Sequence, residues 1–257
     1  MTSATSAHRP TTHHPTTQEP ATDDPVVVDR REGPWGEVVL RRRAERMEII
    51  SNGCFLMDTS DGTSERLLVR AALDALDTAD GPGRPTPPGP RRDGPARVLI
   101  GGLGVGFSLA EAAADPRAGR ITVVERESAV VEWHTVGDAP LARFSAGALA
   151  RDDVRCVRAD LLDHLRTTDE RYDAICLDID NGPDWTVTEG NAALYGAAGL
   201  RLLRGRLAPG GVLAVWSAAA SEPFEERLRA AFPRVTRREV PVLVARGVPD
   251  VVYLASA

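Results

Sequence analysis

The stretch VLIGGLGVGFSLAEAAADPRAGRITVVE, residues Val98–Glu125, decides the fold. A short apolar run, Val98–Ile100, leads into a glycine-rich segment, Gly101–Gly106, and then into a helical pattern; a second apolar run, Ile121–Val124, ends on Glu125. Glycines after a strand permit positive φ angles and close approach of a ligand, and an acid after the next strand accepts hydrogen bonds from ribose hydroxyls. The stretch therefore predicts the nucleotide-binding half of a Rossmann-like domain.

The rest of the chain after Ala96 continues this alternation of strands and helices. Strand-like runs recur near residues 154–157, 174–177 and 212–216, a helix is predicted from about Asn191 to Leu207, and the runs 235–240 and 251–254 are typical of a closing antiparallel pair. Nearly continuous apolar strands separated by helices indicate strands buried on both faces. The sequence predicts an α/β fold with a doubly wound, mostly parallel sheet.

The composition divides the chain into four regions. Residues 1–34 are rich in Thr, Pro and His and predict a disordered tail without a metal site, because they have little apolar surface to bury. Residues 35–80 predict a small β-rich module plus a helix, and the Pro- and Gly-rich residues 81–95 predict a linker. Residues 96–257 are expected to form the Rossmann-like domain.

The charge and cysteine content narrow the functional classes. The chain has 257 residues and a net charge of −6, which disfavours nucleic acid as a partner because phosphate binding needs a basic face. No stretch has the length of a membrane helix. The three cysteines, Cys54, Cys156 and Cys176, lie far apart, which suits a reducing, cytoplasmic environment.

The candidate cofactor residues follow the strand ends. Backbone at Gly101, Gly102, Gly104 and Gly106 is expected to hold the ligand, and Glu125 to bind the ribose. Further along, Asp160 and Leu161 follow the third strand. A carboxylate at this position can accept a hydrogen bond from the exocyclic amine of an adenine. The alternative is that Asp160 is only the N-cap of the next helix.

Two further acids, Asp178 and Asp180, alternate at the end of the fourth strand, where open α/β sheets place their ligands. We expect them to position a nucleophile or to remove its proton, with Asp178 also contacting cofactor; a polar turn is the alternative for Asp180. Trp185, in a loop that resembles a lid, and Tyr195, on the next helix, are candidate acceptor-binding residues, and His134 is expected to be structural.

These motifs resemble the spermidine synthase family and its methyltransferase-fold relatives, from about Met47 to the C-terminus. The resemblance implies a fold of the methyltransferase type, an adenosyl cofactor, a small-molecule acceptor and a homodimer formed through the N-terminal module. Asp178 aligns with the catalytic acid of the family, and Glu65 with the acid of its Tyr-His-Glu amine-recognition motif, which here is Thr63-Ser64-Glu65.

The glycine loop departs from the family pattern. Spermidine synthases carry Gly-Gly-Gly-Asp-Gly-Gly, in which the Asp faces the aminopropyl ammonium of decarboxylated S-adenosylmethionine; Gly104 stands at that position here. S-adenosylmethionine keeps a carboxylate, which a nearby Asp would repel by about a kcal/mol or more. A glycine at this position therefore favours S-adenosylmethionine as the cofactor.

Three hypotheses follow. The first is a methyltransferase that uses S-adenosylmethionine and a small-molecule acceptor. The second is a polyamine aminopropyltransferase that uses decarboxylated S-adenosylmethionine, as the overall resemblance and the pair Glu65 and Asp178 suggest. The third is a non-catalytic ligand-binding relative, which the fold alone would permit.

Overall fold

A computed structural model of the chain describes residues 24–80, 94–187, 189–242 and 247–257. The predicted linker, apart from Gly94 and Pro95, and the first 23 residues of the predicted tail lie outside these ranges. Among the described residues, no helix is long and apolar enough to cross a membrane.

The N-terminal module is a four-stranded antiparallel sheet in the order β1-β2-β3-β4. Its strands follow one another through tight turns, and the turn at Asn52 and Gly53, both with positive φ, joins the last two strands. The strands span β1 Val26–Gly33, β2 Gly36–Arg43, β3 Arg46–Ser51 and β4 Cys54–Asp58. Val38, Leu40 and Ile49 are buried on the face that joins the core of the following domain.

The second domain contains a seven-stranded sheet in the order β10-β11-β9-β8-β5-β6-β7. The strands from β9 to β7 in this order are parallel, and β10 and β11 close one edge in antiparallel pairing. The bounds are β5 Ala96–Gly101, β6 Ala118–Glu125, β7 Val154–Arg158, β8 Tyr172–Leu177, β9 Leu207–Ser217, β10 Arg234–Val240 and β11 Asp250–Ser256. The doubly wound, mostly parallel Rossmann-like sheet predicted from the sequence is confirmed.

Helices cover both faces of this sheet. The buried side chains form two clusters, one on each face of the sheet. Helix α1 packs against β8, β9, β11 and α2, and so fixes the N-terminal end of α1 beside the carboxyl ends of the central strands. The helices are α1 Thr63–Asp80, α2 Phe107–Ala114, α3 Ser128–Thr135, α4 Leu161–Thr167, α5 Ala192–Tyr195, α6 Ala197–Arg206 and α7 Glu222–Ala231.

Two local predictions need correction. Disorder was expected through residue 34, but Val26–Gly33 pairs with β2 as an edge strand. Backbone pairing stabilises this strand although its side chains are mostly exposed, and composition does not report such pairing. The single helix expected from about Asn191 to Leu207 is instead interrupted at Gly196, whose extended backbone separates α5 from α6.

The packing of α1 gives a testable prediction. Leu68→Ala removes a fully buried side chain from the core that α1 shares with the sheet, and we expect a loss of about 2–5 kcal/mol in the free energy of unfolding. Leu67→Ala is the matched control, because Leu67 is only partly buried, and about 1 kcal/mol is expected. Urea unfolding measures both, and equal losses would contradict this placement of α1.

Candidate active site

An open cavity lies at the carboxyl ends of the parallel strands and has about 940 Å³ of empty space, part of which is continuous with solvent. Its lining brings together most of the predicted site residues, namely Gly102, Gly104, Glu125, Asp160, Leu161, Asp178, Asp180 and Glu65. The N-terminal sheet contributes an apolar wall from Val38, Ile49, Leu56 and Met57. The module and the Rossmann-like domain therefore build one site together.

Glu125 lies at the end of β6 and is held by two backbone amides. Leu103 N–H donates to its Oε2 at 2.9 Å, and Glu127 N–H donates to its Oε1 at 2.8 Å. The carboxylate is thereby fixed with lone pairs left for further donors on the cavity side. This is the arrangement needed to accept hydrogen bonds from ribose hydroxyls, so Glu125 fits the role expected for it.

The glycine loop is shaped by close contacts with neighbouring protein segments. Gly102 has a φ of +90°, and a Cβ there would lie 2.2 Å from the Asp178 carbonyl oxygen. Gly101 and Gly106 do not line the cavity: a Cβ at Gly101 would meet Leu161, and one at Gly106 would meet Ser145 and His134. These two glycines permit packing behind the loop.

His134 supports the loop from behind, as expected for a structural residue. Its Nε2 lies 2.9 Å from the Gly104 carbonyl oxygen, and its Nδ1 lies 3.0 Å from Ser145 Oγ. The ring is buried, which lowers the pKa of His134 and favours the neutral form.

Asp160 is the N-cap of α4 and also borders the cavity. Its Oδ1 accepts from the Asp163 backbone N–H at 3.1 Å, as the N-cap of α4. The residue also lines the cavity next to Ala159 and Leu161. The cap fixes the carboxylate and leaves its other oxygen for a donor, so an adenine contact stays a prediction.

Asp178 lies just after β8 and faces α1. Its Oδ2 accepts from Ser108 Oγ at 2.7 Å, and its backbone N–H donates to the Gly101 carbonyl oxygen at 2.9 Å. Burial, together with the nearby charge of Asp250, raises the pKa of Asp178 to about 6.

Glu65 lies in the first turn of α1 and lines the same cavity. Burial and the charge of Asp178 raise the pKa of Glu65 to about 8. Within the described residues, neither Glu65 nor Asp178 forms an ion pair with a basic side chain. Two neighbouring carboxyl groups thus line the cavity without a basic side chain from the described residues to balance them, which favours a cation there.

The loop after β8 forms the polar turn that was the alternative expected for Asp180. Asp180 has a φ of +54°, and its Oδ2 accepts from Asn191 Nδ2 at 2.7 Å, so it ties the loop to the following segment while lining the cavity. Trp185 is 60% exposed and does not line the cavity.

Tyr195 also lies away from the cavity. It is buried against Phe224, and its hydroxyl donates to the Ile179 carbonyl oxygen at 3.3 Å. Neither Tyr195 nor Trp185 is therefore brought to the cavity as an acceptor-binding side chain; Tyr195 supports the loop through Ile179.

Sequence patterns missed several residues of the site. Ser64, Ser108, Trp216 and Asp250 surround the two carboxyl groups, and Met57 borders the glycine loop. Only Asp250 had a detectable signal: it opens an antiparallel strand next to β9, so it lies at the same edge as the carboxyl ends of the parallel strands.

Comparison with solved structures identifies the fold. No protein-family model matches the sequence. A spermidine synthase in complex with the transition-state analogue AdoDATO superposes with a TM-score of 0.69 at 16% identity, covering 90% of this chain and 73% of that chain. The chain has the spermidine synthase fold. Spermidine synthase from Thermotoga maritima gives a TM-score of 0.67 at 15% identity, covering 90% of this chain and 72% of that one.

The expected resemblance is thus confirmed at the level of the fold, but the first functional hypothesis is corrected. The matching structures are spermidine synthases, which favours the aminopropyltransferase hypothesis over the methyltransferase. The structure also weakens the argument from Gly104. A Cβ at Gly104 would lie 2.3 Å from Met57 Sδ, so packing against Met57 is a second reason for glycine there, and the position does not by itself indicate the cofactor.

This packing is testable with a matched glycine. Gly104→Ala is expected to cost about 2–3 kcal/mol of unfolding free energy, because it adds a clash with Met57 to the strain of a positive φ. Gly53→Ala carries only the strain, since no atom lies within 4 Å of its Cβ position, and about 1 kcal/mol is expected. Urea unfolding compares the two; an equal cost would refute the packing explanation of Gly104.

The two buried carboxyls predict a pH dependence of stability. Their folded pKa values, about 6 and about 8, lie above those of the unfolded chain, so their stabilising contribution is complete below about pH 4 and is lost as the pH rises through 6 and then 8. The loss is about 3 kcal/mol or more by pH 9. Asp178→Asn should roughly halve it, because the variant removes one titrating group and the like charge beside Glu65.

Urea unfolding at pH 5, 7 and 9 measures this effect. Asp173→Asn is the control, because Asp173 is also buried but lies near the amino-terminal end of β8, at the opposite end of the strand from Asp178. There its carboxylate accepts a hydrogen bond from Arg97 N–H at 2.7 Å. The account fails if wild type and Asp178→Asn lose the same stability between pH 5 and 9.

Proposed function

We propose that the protein is an aminopropyltransferase of the polyamine type, which transfers the aminopropyl group of decarboxylated S-adenosylmethionine to a small diamine. The observation that carries the proposal is the pair of carboxyls, buried Glu65 and half-buried Asp178, in the same cavity as Glu125, the acid expected to bind ribose. A cationic acceptor gains from this pair, because its charge stabilises both carboxylates where water does not.

The cofactor side of the cavity fits an adenosyl group. The two backbone amides that hold Glu125 orient its carboxylate to accept hydrogen bonds from ribose hydroxyls. Asp160 and Leu161 line the part of the cavity where an adenine is expected, and Gly102 lets the ligand approach the backbone. When bound, the sulfonium supplies an activated carbon, whose bond to sulfur breaks when an amine attacks it.

The acceptor side supplies binding and proton transfer. An ammonium held by Asp178 and Glu65 must lose a proton before its nitrogen can act as a nucleophile. Asp178, with a pKa near 6, is ionised at neutral pH and is the group that takes this proton. Ser108 fixes its orientation, so that the acid and the acceptor nitrogen are held in one geometry.

The apolar wall from the N-terminal sheet, which includes Leu56 and Met57, matches the methylene chain of a diamine. Charged groups at one end and apolar surface along the side would together select a flexible, cationic, aliphatic acceptor over an aromatic or anionic one. One matching spermidine synthase was solved in complex with the transition-state analogue AdoDATO, which is consistent with a group-transfer reaction on this fold.

The test is product formation from the two cofactors. With decarboxylated S-adenosylmethionine and putrescine, we expect methylthioadenosine and spermidine, detected by mass spectrometry, whereas S-adenosylmethionine should give neither. Asp178→Asn should lower kcat about 100-fold or more, because the proton acceptor is lost. Asp163→Asn, at an exposed carboxylate on α4, should stay close to wild type.

Absence of methylthioadenosine with every diamine of three to five carbons would refute the proposed function. Methyl transfer from S-adenosylmethionine to any of these amines would refute the choice of cofactor.

A further inference from the structure

Ser64 lies between two carboxyl groups at the inner end of the cavity. Its Oγ is 2.9 Å from Glu65 Oε2 and 2.8 Å from Asp250 Oδ2, and it accepts from Trp216 Nε1–H at 3.0 Å. Ser64 and Asp250 are both about 95% buried. The hydroxyl is thus a bridge between an acid that lines the cavity and one that lies behind it.

The number of protons in this bridge is fixed by the chemistry of a hydroxyl. Ser64 Oγ has one hydrogen and two lone pairs, and the indole of Trp216 uses one lone pair. The hydroxyl can donate to only one of the two carboxyls. The other contact is a hydrogen bond only if that carboxyl carries a proton and donates to the remaining lone pair.

We propose that Ser64 and Asp250 are positioning residues for the acceptor site, which hold one proton on Glu65 until a cationic amine binds and releases it. The inference rests on the proposed function for the nature of the acceptor.

The charges around Glu65 support the location of the proton. Asp178, after β8, and Asp250, at the start of β11, both act on Glu65 and disfavour its ionisation. Ser108 on α2 and Trp216 on β9 face the cluster without charge. Glu111 on α2 is engaged by Arg66 and Arg70 on the outer side of α1.

The exchange on binding balances in charge and atoms. An ammonium enters next to Glu65, the O–H bond of that carboxyl breaks, and the proton passes to solvent. The carboxylate that forms neutralises the positive charge, while the Ser64 hydroxyl keeps its bond to Asp250. Binding is thereby coupled to the release of a proton, and a neutral ligand of the same shape gains nothing from the exchange.

The first test uses the free protein and needs no ligand. Between pH 7 and 9 the wild type should lose stability as Glu65 ionises, and Asp250→Asn should move the midpoint of this loss down by about one pH unit. Glu65→Gln imitates the protonated form, since its amide can donate to Ser64, and it should abolish the loss. Asp173→Asn should keep the wild-type profile. The proposal is overturned if Asp250→Asn and Glu65→Gln both keep it too.

The second test measures proton release. Calorimetric titration with putrescine at pH 7, in phosphate and in Tris, should give release of up to about one proton for wild type, less than half as much for Asp250→Asn, and none from this group for Glu65→Gln. If wild type and Asp250→Asn release the same number of protons, the proposed role of the Ser64–Asp250 bridge is overturned. Failure of putrescine to bind counts against the proposed function, while the stability profiles still decide the bridge.

Discussion

The close approach of the glycine loop to the end of β8 is the constraint on which the site depends. The Asp178 backbone N–H donates to the Gly101 carbonyl oxygen at 2.9 Å, and no side chain fits between Gly102 and the Asp178 carbonyl. Parallel pairing of β5 with β8 enforces this contact. It places the backbone of the glycine loop next to Asp178, so the proposed cofactor and acceptor sites lie within one cavity.

The energetic character of the site comes from burying acids with few compensating charges. Glu65 and Asp178 weaken the folded state at alkaline pH, because burial disfavours ionisation of both, Asp178 adds a like charge beside Glu65, and Asp250 adds one beside Asp178. A cation relieves this cost when it binds. In the proposed function, the acidic groups that lower the free energy of unfolding at alkaline pH are the same groups that bind the cation. Such an arrangement is common in sites whose groups have shifted pKa values.

Much of this could be predicted from local patterns. The run Val98–Ile100, the glycines after it and Glu125 follow rules that depend on a few neighbouring residues, and Asp178 follows the next strand of the sheet core. Contacts between segments that are distant in sequence could not be predicted from local patterns. Met57 approaches Gly104, where the glycine had been interpreted as a sign of the cofactor, and Ser64 contacts Asp250, which lies 186 residues further along the chain. Pairing of β1 was missed for the same reason.

The central claim is that the cavity recognises an aliphatic cation through Glu65 and Asp178. The most direct measurement compares the binding of putrescine with that of 1,4-butanediol, which has the same length but no charge, at pH 7.5 in the presence of methylthioadenosine. The account predicts that putrescine binds at least about 100-fold more tightly, and that Asp178→Asn removes most of this preference. Equal affinity for the two ligands would contradict the account.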